Sequence, residues 1–173
     1  MIELVAGEVE QLNVTLTPKF VPPIQAALIG HVTRQGRAEG VSWVDYLTLT
    51  MIQNGIVVKT LGFSSNTNGS FMGMVPTGLF DLCIKSKRTL SQRVNDVEIV
   101  AGNNSVDFGT LLEGDANNDD VINVLDMILV GQAMGAAHGD SNWNDDCDFN
   151  RDGIVDENDM ALLQANFGQV GQM

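Results

Sequence analysis

The sequence predicts a multidomain chain: an all-β sandwich followed by a small all-α domain built from two loop–helix repeats. Three observations predict it. About seven short runs between residues 28 and 111 alternate apolar and polar residues, with turn signals between them. From Gly114 onward the apolar period lengthens from that of a strand to that of a helix. One twelve-residue acidic pattern also occurs twice in this second part, at 115–126 and 148–159. The boundaries are set at 19–112 for the sandwich and 113–173 for the helical domain, with 1–18 as the possible end of a preceding β domain.

Residues 19–27, with Pro22-Pro23, read as a connector. Leu28 to Val32 is the first strand. Trp43 to Ile52 is the second, with Trp43, Asp45, Leu47, Leu49 and Met51 on one face and Val44, Tyr46, Thr48, Thr50 and Ile52 on the other. Asn54-Gly55 makes a hairpin turn, and Ile56 to Leu61 returns. Asn66 to Gly69 turns into a short strand, Phe71 to Met74. Val75-Pro76-Thr77-Gly78 then leads into Leu79 to Lys85, where Phe80, Leu82 and Ile84 mark a buried face. Val94 to Val100 and Val106 to Leu111 complete the set. Val97 to Gly102 echoes Ile2 to Gly7, and each precedes a polar turn and another strand-like run. The second copy reads as the closing hairpin of the sandwich. The first reads either as the closing hairpin of a preceding domain or, like the second, as an ordinary hairpin.

In the second part, Val124, Leu125, Met127, Ile128, Leu129 and Val130 crowd a helix ending near Gly135. Met160, Leu162, Leu163 and Phe167 recur at helical spacing in another, ending at Gly168. Ala136 to Trp143 is a loop or short helical turn. No flexible linker lies between Phe108 and Asp115, so the two parts are expected to pack against each other.

Charge is unevenly spread. The formal net charge is −13, and residues 111–173 contribute 13 acidic residues against the single base Arg151. Such a surface excludes nucleic acid, whose phosphates need a basic patch. No apolar run is long enough to insert in a membrane. Cys83 and Cys147 belong to no CxxC or zinc pattern, and their spacing does not favour a disulfide. The N-terminus lacks the layout of a signal peptide.

The two acidic stretches carry the functional signal. Each places oxygen-bearing side chains at positions 1, 3, 5, 9 and 12 of a loop, the spacing of an EF-hand-type calcium site. In loop 1 the ligands would be Asp115, Asn117, Asp119 and Asp126, with the Val121 carbonyl and Asn123 directly or through water. In loop 2 they would be Asp148, Asn150, Asp152, Asp156 and Asp159, with the Ile154 carbonyl. Two Ca²⁺ are therefore expected. Loop 2, with four carboxylates to three, should bind more tightly. Loop 2 has Gly153 at position 6, where the chain turns left-handed; loop 1 has Asp120, which tolerates that conformation at some cost. Ile122 and Val155, at position 8, are expected to point inward and pair the two loops. A calcium module suits the calcium-rich medium outside cells. The expectation is a fragment, lacking its signal peptide, of a protein that is secreted or attached to the cell surface.

Position 12 is Asp in both loops rather than Glu, and no amphipathic helix enters either loop. With a helix following each loop, and with Asn166-Phe167-Gly168 at the end, residues 113–168 resemble the type I dockerin family. The resemblance implies a calcium-dependent protein–protein module that binds a cohesin domain, as in cellulosome assembly for polysaccharide degradation. It implies contact positions at Val124, Leu125, Gly131 and Gln132 in repeat 1, and at Glu157, Asn158, Gln164 and Ala165 in repeat 2. The repeats differ there, which implies one dominant orientation of binding. Gly69-Ser70-Phe71 followed by Val75 to Leu82 resembles carboxypeptidase-regulatory-like or CnaB-type sandwiches, a prealbumin-like fold. Some of those carry a Lys–Asn crosslink; Lys59 and Lys85 are the lysines available, with no partner assigned. An immunoglobulin-like sandwich set directly before a dockerin also resembles X-module–dockerin pairs, in which the sandwich stabilises its neighbour.

No enzyme is expected: His31 and His138 lie in different parts, and no nucleophile elbow, HExxH or phosphate loop is present. Two other readings stay open. The calcium domain could be a structural cap clasped on its own sandwich, with its recognition face buried against residues 28–111. Trp43 and Tyr46 could instead form a carbohydrate platform.

Overall fold

The structure, a computed structural model, describes residues 24–173. Seven strands precede two helices: β1 (Gln25–Arg34), β2 (Tyr46–Gln53), β3 (Ile56–Ser64), β4 (Ser70–Pro76), β5 (Gly78–Lys85), β6 (Gln92–Ile99), β7 (Asn103–Leu111), α1 (Val124–Ala133) and α2 (Glu157–Ala165). The strands form a three-stranded sheet, order β4-β1-β7, facing a four-stranded sheet, order β3-β2-β5-β6. Between them lie Leu28, Leu47, Leu49, Met51, Phe71, Leu82, Ile84, Phe108 and their neighbours, which form one apolar cluster.

The alternation on β5 places Phe80, Leu82 and Ile84 in that core, as its sequence pattern demands. On β2 the predicted inner residues Leu47, Leu49 and Met51 are buried, but Trp43 and Asp45 precede the strand; Val41–Trp43 is a short 3₁₀ turn instead. Asn54 and Gly55 both have positive φ, 52° and 75°, the requirement of the tight turn joining β2 and β3.

Two expectations need correction. The connector 19–27 overlaps β1, which begins at Gln25; its remainder up to Pro23, and the first copy of the internal echo, lie outside the described residues. The second copy is not a hairpin. β6 pairs with β5, whereas β7 pairs in parallel with β1 in the other sheet. The chain crosses between sheets because Ile99 on β6 and Val106 and Phe108 on β7 bury themselves in the same core from opposite sides. Asn104 secures the crossing by donating to the Val100 and Ala27 carbonyls.

A second apolar cluster contains Ala116, Ile122, Val130, Ala133, Cys147, Phe149, Val155 and Leu163, joined by Leu90 from the β5–β6 connection. Both cysteines are free and buried. Phe167, expected within the second helix, lies beyond the end of α2 and is exposed.

Candidate functional site

Each acidic loop is built by carboxylates accepting its own backbone N–H groups. Asp115 Oδ1 and Oδ2 accept from the N–H groups of Asp119 and Asp120, both at 3.0 Å. Asp148 does the same for Asp152 and Gly153, at 3.2 and 3.1 Å. The Asn117 and Asn150 carbonyl oxygens accept from Asp119 and Asp152 N–H. Asp126 Oδ1 accepts from Asn117 N–H at 3.1 Å, as Asp159 Oδ1 does from Asn150 N–H. Every pair is the same bond in two repeats, so the loops share one conformation. Position 6 is left-handed in both, with φ +68° at Asp120 and +90° at Gly153.

The loops run directly into their helices. Asn123 caps α1 and Asp156 caps α2, each completing a capping box with Asp126 or Asp159 at the third helical position. Asp115, Asp126, Asp148 and Asp159 are all buried. Burial pushes the carboxyls of Asp115, Asp148 and Asp159 up from the ordinary aspartate value. Among the described residues no three acidic, His or Cys side chains converge by themselves on a metal-sized point. What the loops gather is carboxylate and Asn amide oxygen, donors of the kind that suit a hard cation such as Ca²⁺.

Ile122 and Val155 are buried in one apolar cluster as expected, but their main-chain hydrogen bonds do not join loop to loop. Each loop is clasped by the tail of the other repeat. Ile122 N–H donates to the Gln169 carbonyl at 2.9 Å, and Gly168 N–H donates to the Ile122 carbonyl at 2.8 Å. Val155 makes the same two bonds with Ala136 and Gly135, at 2.9 and 2.8 Å. Gly135 and Gly168 occupy equivalent places, with φ +78° and +82°. This exchange satisfies loop backbone groups that side-by-side loops would otherwise satisfy for each other.

All eight positions assigned to partner contact lie exposed on the helices: Val124, Leu125, Gly131 and Gln132 on α1, Glu157, Asn158, Gln164 and Ala165 on α2. Their chemistry differs. On α1, Val124, Leu125 and Ile128 are 55%, 53% and 50% exposed and share one face. The sequence pattern presents Ile128 only as one of the apolar residues crowding the helix. Its spacing from Val124 and Leu125 is the signal that places it with them. On α2 the equivalent positions are Glu157, Asn158 and Ala161, two polar residues and one small one.

The junction with the sandwich is the feature that sequence patterns did not reveal. Arg34, Arg37, Lys85, Lys87 and Arg88, five of the eight basic residues before residue 111, gather there against the acidic segment. Glu113 is fully buried, with Arg37 Nη2 at 2.8 Å and Arg34 Nη1 at 3.9 Å from Oε1. Burial pushes its carboxyl up, against the pull of those guanidiniums. Arg37 also donates from Nε to the Phe149 carbonyl in loop 2. Asn166 donates to the Glu113 carbonyl and to the Gln35 side chain, at 2.7 and 2.6 Å. Lys85 reaches Asp115 in loop 1 at 2.6 Å, so it is an ion-pair partner rather than a crosslinking lysine. The expected packing of the two parts is therefore present.

A chain from a crystal structure of a "type II Cohesin-X-Dockerin complex" of Acetivibrio cellulolyticus, carrying a C-terminal interface mutant, superposes with a TM-score of 0.70 at 19% identity. The match covers 84% of this chain and 97% of that one. A second complex of the same kind, with an N-terminal interface mutant, gives 0.68 over the same shares at 19% identity. At that identity the likeness is one of fold, and it spans sandwich and helices together. Two curated proteins of Acetivibrio thermocellus, cellulosomal-scaffolding proteins B and A, are each 27% identical over 134 residues, or 72% of this chain. The matched stretch spans only 17% and 7% of their lengths. The family model of the dockerin type I domain matches residues 113–168, the stretch that holds both acidic loops and both helices.

Proposed function

We propose that this chain is a calcium-dependent docking module. Its helical domain, residues 113–173, binds a cohesin domain and so anchors a larger extracellular protein, secreted or attached to the cell surface, to a scaffold. The sandwich, residues 19–112, acts as an X-module-like neighbour that braces it. The match of residues 113–168 to the dockerin type I domain carries this reading. The exposure of all eight contact positions supports it.

Two Ca²⁺ fit the donor sets. Asp115, Asn117, Asp119, Val121, Asn123 and Asp126 would hold one; Asp148, Asn150, Asp152, Ile154, Asp156 and Asp159 would hold the other. The ions would supply positive charge to buried carboxylates that otherwise repel one another. The role is non-catalytic. The family model is that of type I dockerins, whereas the solved neighbours are described as type II complexes, so cohesins of both types belong in the test.

The structural-cap reading needs the recognition positions buried against the sandwich, and their exposure opposes it. The carbohydrate platform is left with one exposed ring: Trp43 is half-buried and donates to the Arg37 carbonyl, while Tyr46, 63% exposed, lies over Gly62 on β3. Calorimetric titration of the chain with type I and type II cohesins in millimolar Ca²⁺, repeated in EDTA, tests the proposal. Tight binding abolished by EDTA is expected. Absence of binding to every cohesin from the source organism would sink it.

A further inference from the structure

Loop 1 and loop 2 share one internal geometry but not one electrostatic setting. The Lys85 ammonium, at the end of β5, sits 2.6 Å from Asp115 Oδ2 and 3.6 Å from Asp120 Oδ1. It also donates to the Thr89 carbonyl. Asp120 is turned out of the loop, accepting from Ser91 N–H at 2.7 Å and Ser91 Oγ–H at 2.6 Å. The Arg88 carbonyl accepts from the N–H groups of Gly114 and Asp115, both at 3.1 Å. The β5–β6 connection thus cradles loop 1 with one fixed positive charge at its first ligand position. Among the described residues no ion pair reaches Asp148, Asp152, Asp156 or Asp159. The nearest base along the chain, Arg151, is turned to Asp145 outside the ligand set.

We infer that Lys85 is an internal counter-ion of loop 1, supplied by the sandwich, that holds this loop folded without calcium and weakens its calcium affinity. The inference rests on the calcium reading of both loops. In the calcium-free chain the ammonium offsets part of the carboxylate repulsion and keeps Asp115 aligned with the N–H groups of Asp119 and Asp120. A divalent ion on the same carboxylate must then share it with an ammonium. Charges so close repel even in a water-like dielectric, by an amount on the order of tenfold in affinity. Position 6 gains a role as well: Asp120, where loop 2 has glycine, is the residue that latches loop 1 to Ser91. Loop 2, with no such counter-ion, carries the calcium dependence of the fold.

The test is a calcium titration in competition with a chelator of known affinity, read at the Asp120 and Gly153 amides by NMR. Lys85→Gln and Lys85→Met are expected to tighten loop 1 about tenfold and to leave loop 2 unchanged. Lys85→Arg should stay near the parent. Unchanged or weaker loop 1 affinity in both neutral variants overturns the inference. Hydrogen exchange of the unmutated chain in EGTA is an independent measurement should those variants not fold. Slow exchange at Asp119 and Asp120 with fast exchange at Asp152 and Gly153 is expected; equal rates overturn the inference. If neither loop takes up calcium, the calcium reading itself falls, a result distinct from either of these.

Discussion

Replacing Val124, Leu125 and Ile128 together with alanine should weaken cohesin binding by about two orders of magnitude. Each side chain is about half exposed, so a partner covering α1 would bury what remains. Full burial of such a residue is worth ~1.5–3 kcal/mol, which leaves roughly 1 kcal/mol for each half and about 3 kcal/mol for the three. That sum corresponds to about a hundredfold in Kd. The matching change on α2 is Glu157 and Asn158 to alanine, since Ala161 already stands where α1 has Ile128; it removes exposed polar groups that free water already solvates. It should cost less than about 1 kcal/mol in all. The α1 variant also gives up the buried half of each apolar side chain, so its melting temperature in calcium should fall, whereas the α2 variant should stay near the parent; binding is compared at a temperature where both are folded. Calorimetry against one cohesin gives the comparison. Equal losses from the two helices would refute the single dominant orientation, and a loss of under fivefold from the α1 variant would refute its role as the contact face.

Further outcomes follow from the junction and the loops. Glu113→Gln leaves Asp45 as the one carboxylate, among the described residues, paired with the buried Arg34 and Arg37 guanidiniums and should cost about 3 kcal/mol in urea denaturation at saturating calcium; a cost below about 1 kcal/mol would show that Glu113 contributes little. Chelation should lower the melting temperature in calorimetry, since each ion present at a thousand times its Kd adds about 4 kcal/mol; an unchanged melt in EDTA would contradict calcium-coupled folding. Asp45 gives a pH signature. Burial raises its carboxyl, but Arg34, Arg88 and Arg37 outweigh it and hold the value below the ordinary one. Its contribution is therefore complete above the unfolded value near pH 4 and lost as pH falls through the lower folded value. Asp45→Asn should be less stable than the parent at pH 7, with the gap closing below pH 4; a gap constant from pH 7 to 3 would contradict the assignment.

Much of the fold was legible because the governing patterns are local. Alternation on β5, the Asn54-Gly55 turn and the twelve-residue spacing of the loops each depend on neighbours in sequence. Sheet membership does not. Val97 to Leu111 looks like a hairpin to any local rule, and only the shared burial of Ile99 and Phe108 separates its strands into two sheets. Likewise Ile122 could be recognised as inward-pointing, whereas its partnership with Gly168 and Gln169 spans more than forty residues. The junction was least visible. The first 110 residues are nearly neutral in sum, and that balance concealed a cluster of bases that the fold assembles from β1, the segment after it and the β5–β6 connection.

The aspartate at position 12 ties each acidic loop to the helix that follows it. Asp126 Oδ1 accepts from Asn117 N–H inside loop 1, while its Oδ2 accepts from Asn123 N–H, at 2.9 Å, where α1 begins. Asp159 divides its oxygens in the same way between Phe149 and Asn150 in loop 2 and Asp156 at the start of α2. One carboxylate is thus both the closing ligand candidate of its loop and the reciprocal cap of its helix. Val124 and Leu125 follow the Asn123 cap directly, as Glu157 and Asn158 follow Asp156. An ion that draws the position-12 carboxylate into the loop would therefore orient the first turn of the helix, and with it the residues that meet a partner. Metal occupancy and partner binding would then be linked through a single side chain in each repeat. By reciprocity, a bound cohesin should raise the calcium affinity of whichever loop precedes the helix it covers. Equilibrium competition with a chelator, with and without cohesin, reads this directly. If α1 is the contact face, loop 1 should tighten the more, and equal tightening of both loops would count against the linkage through Asp126.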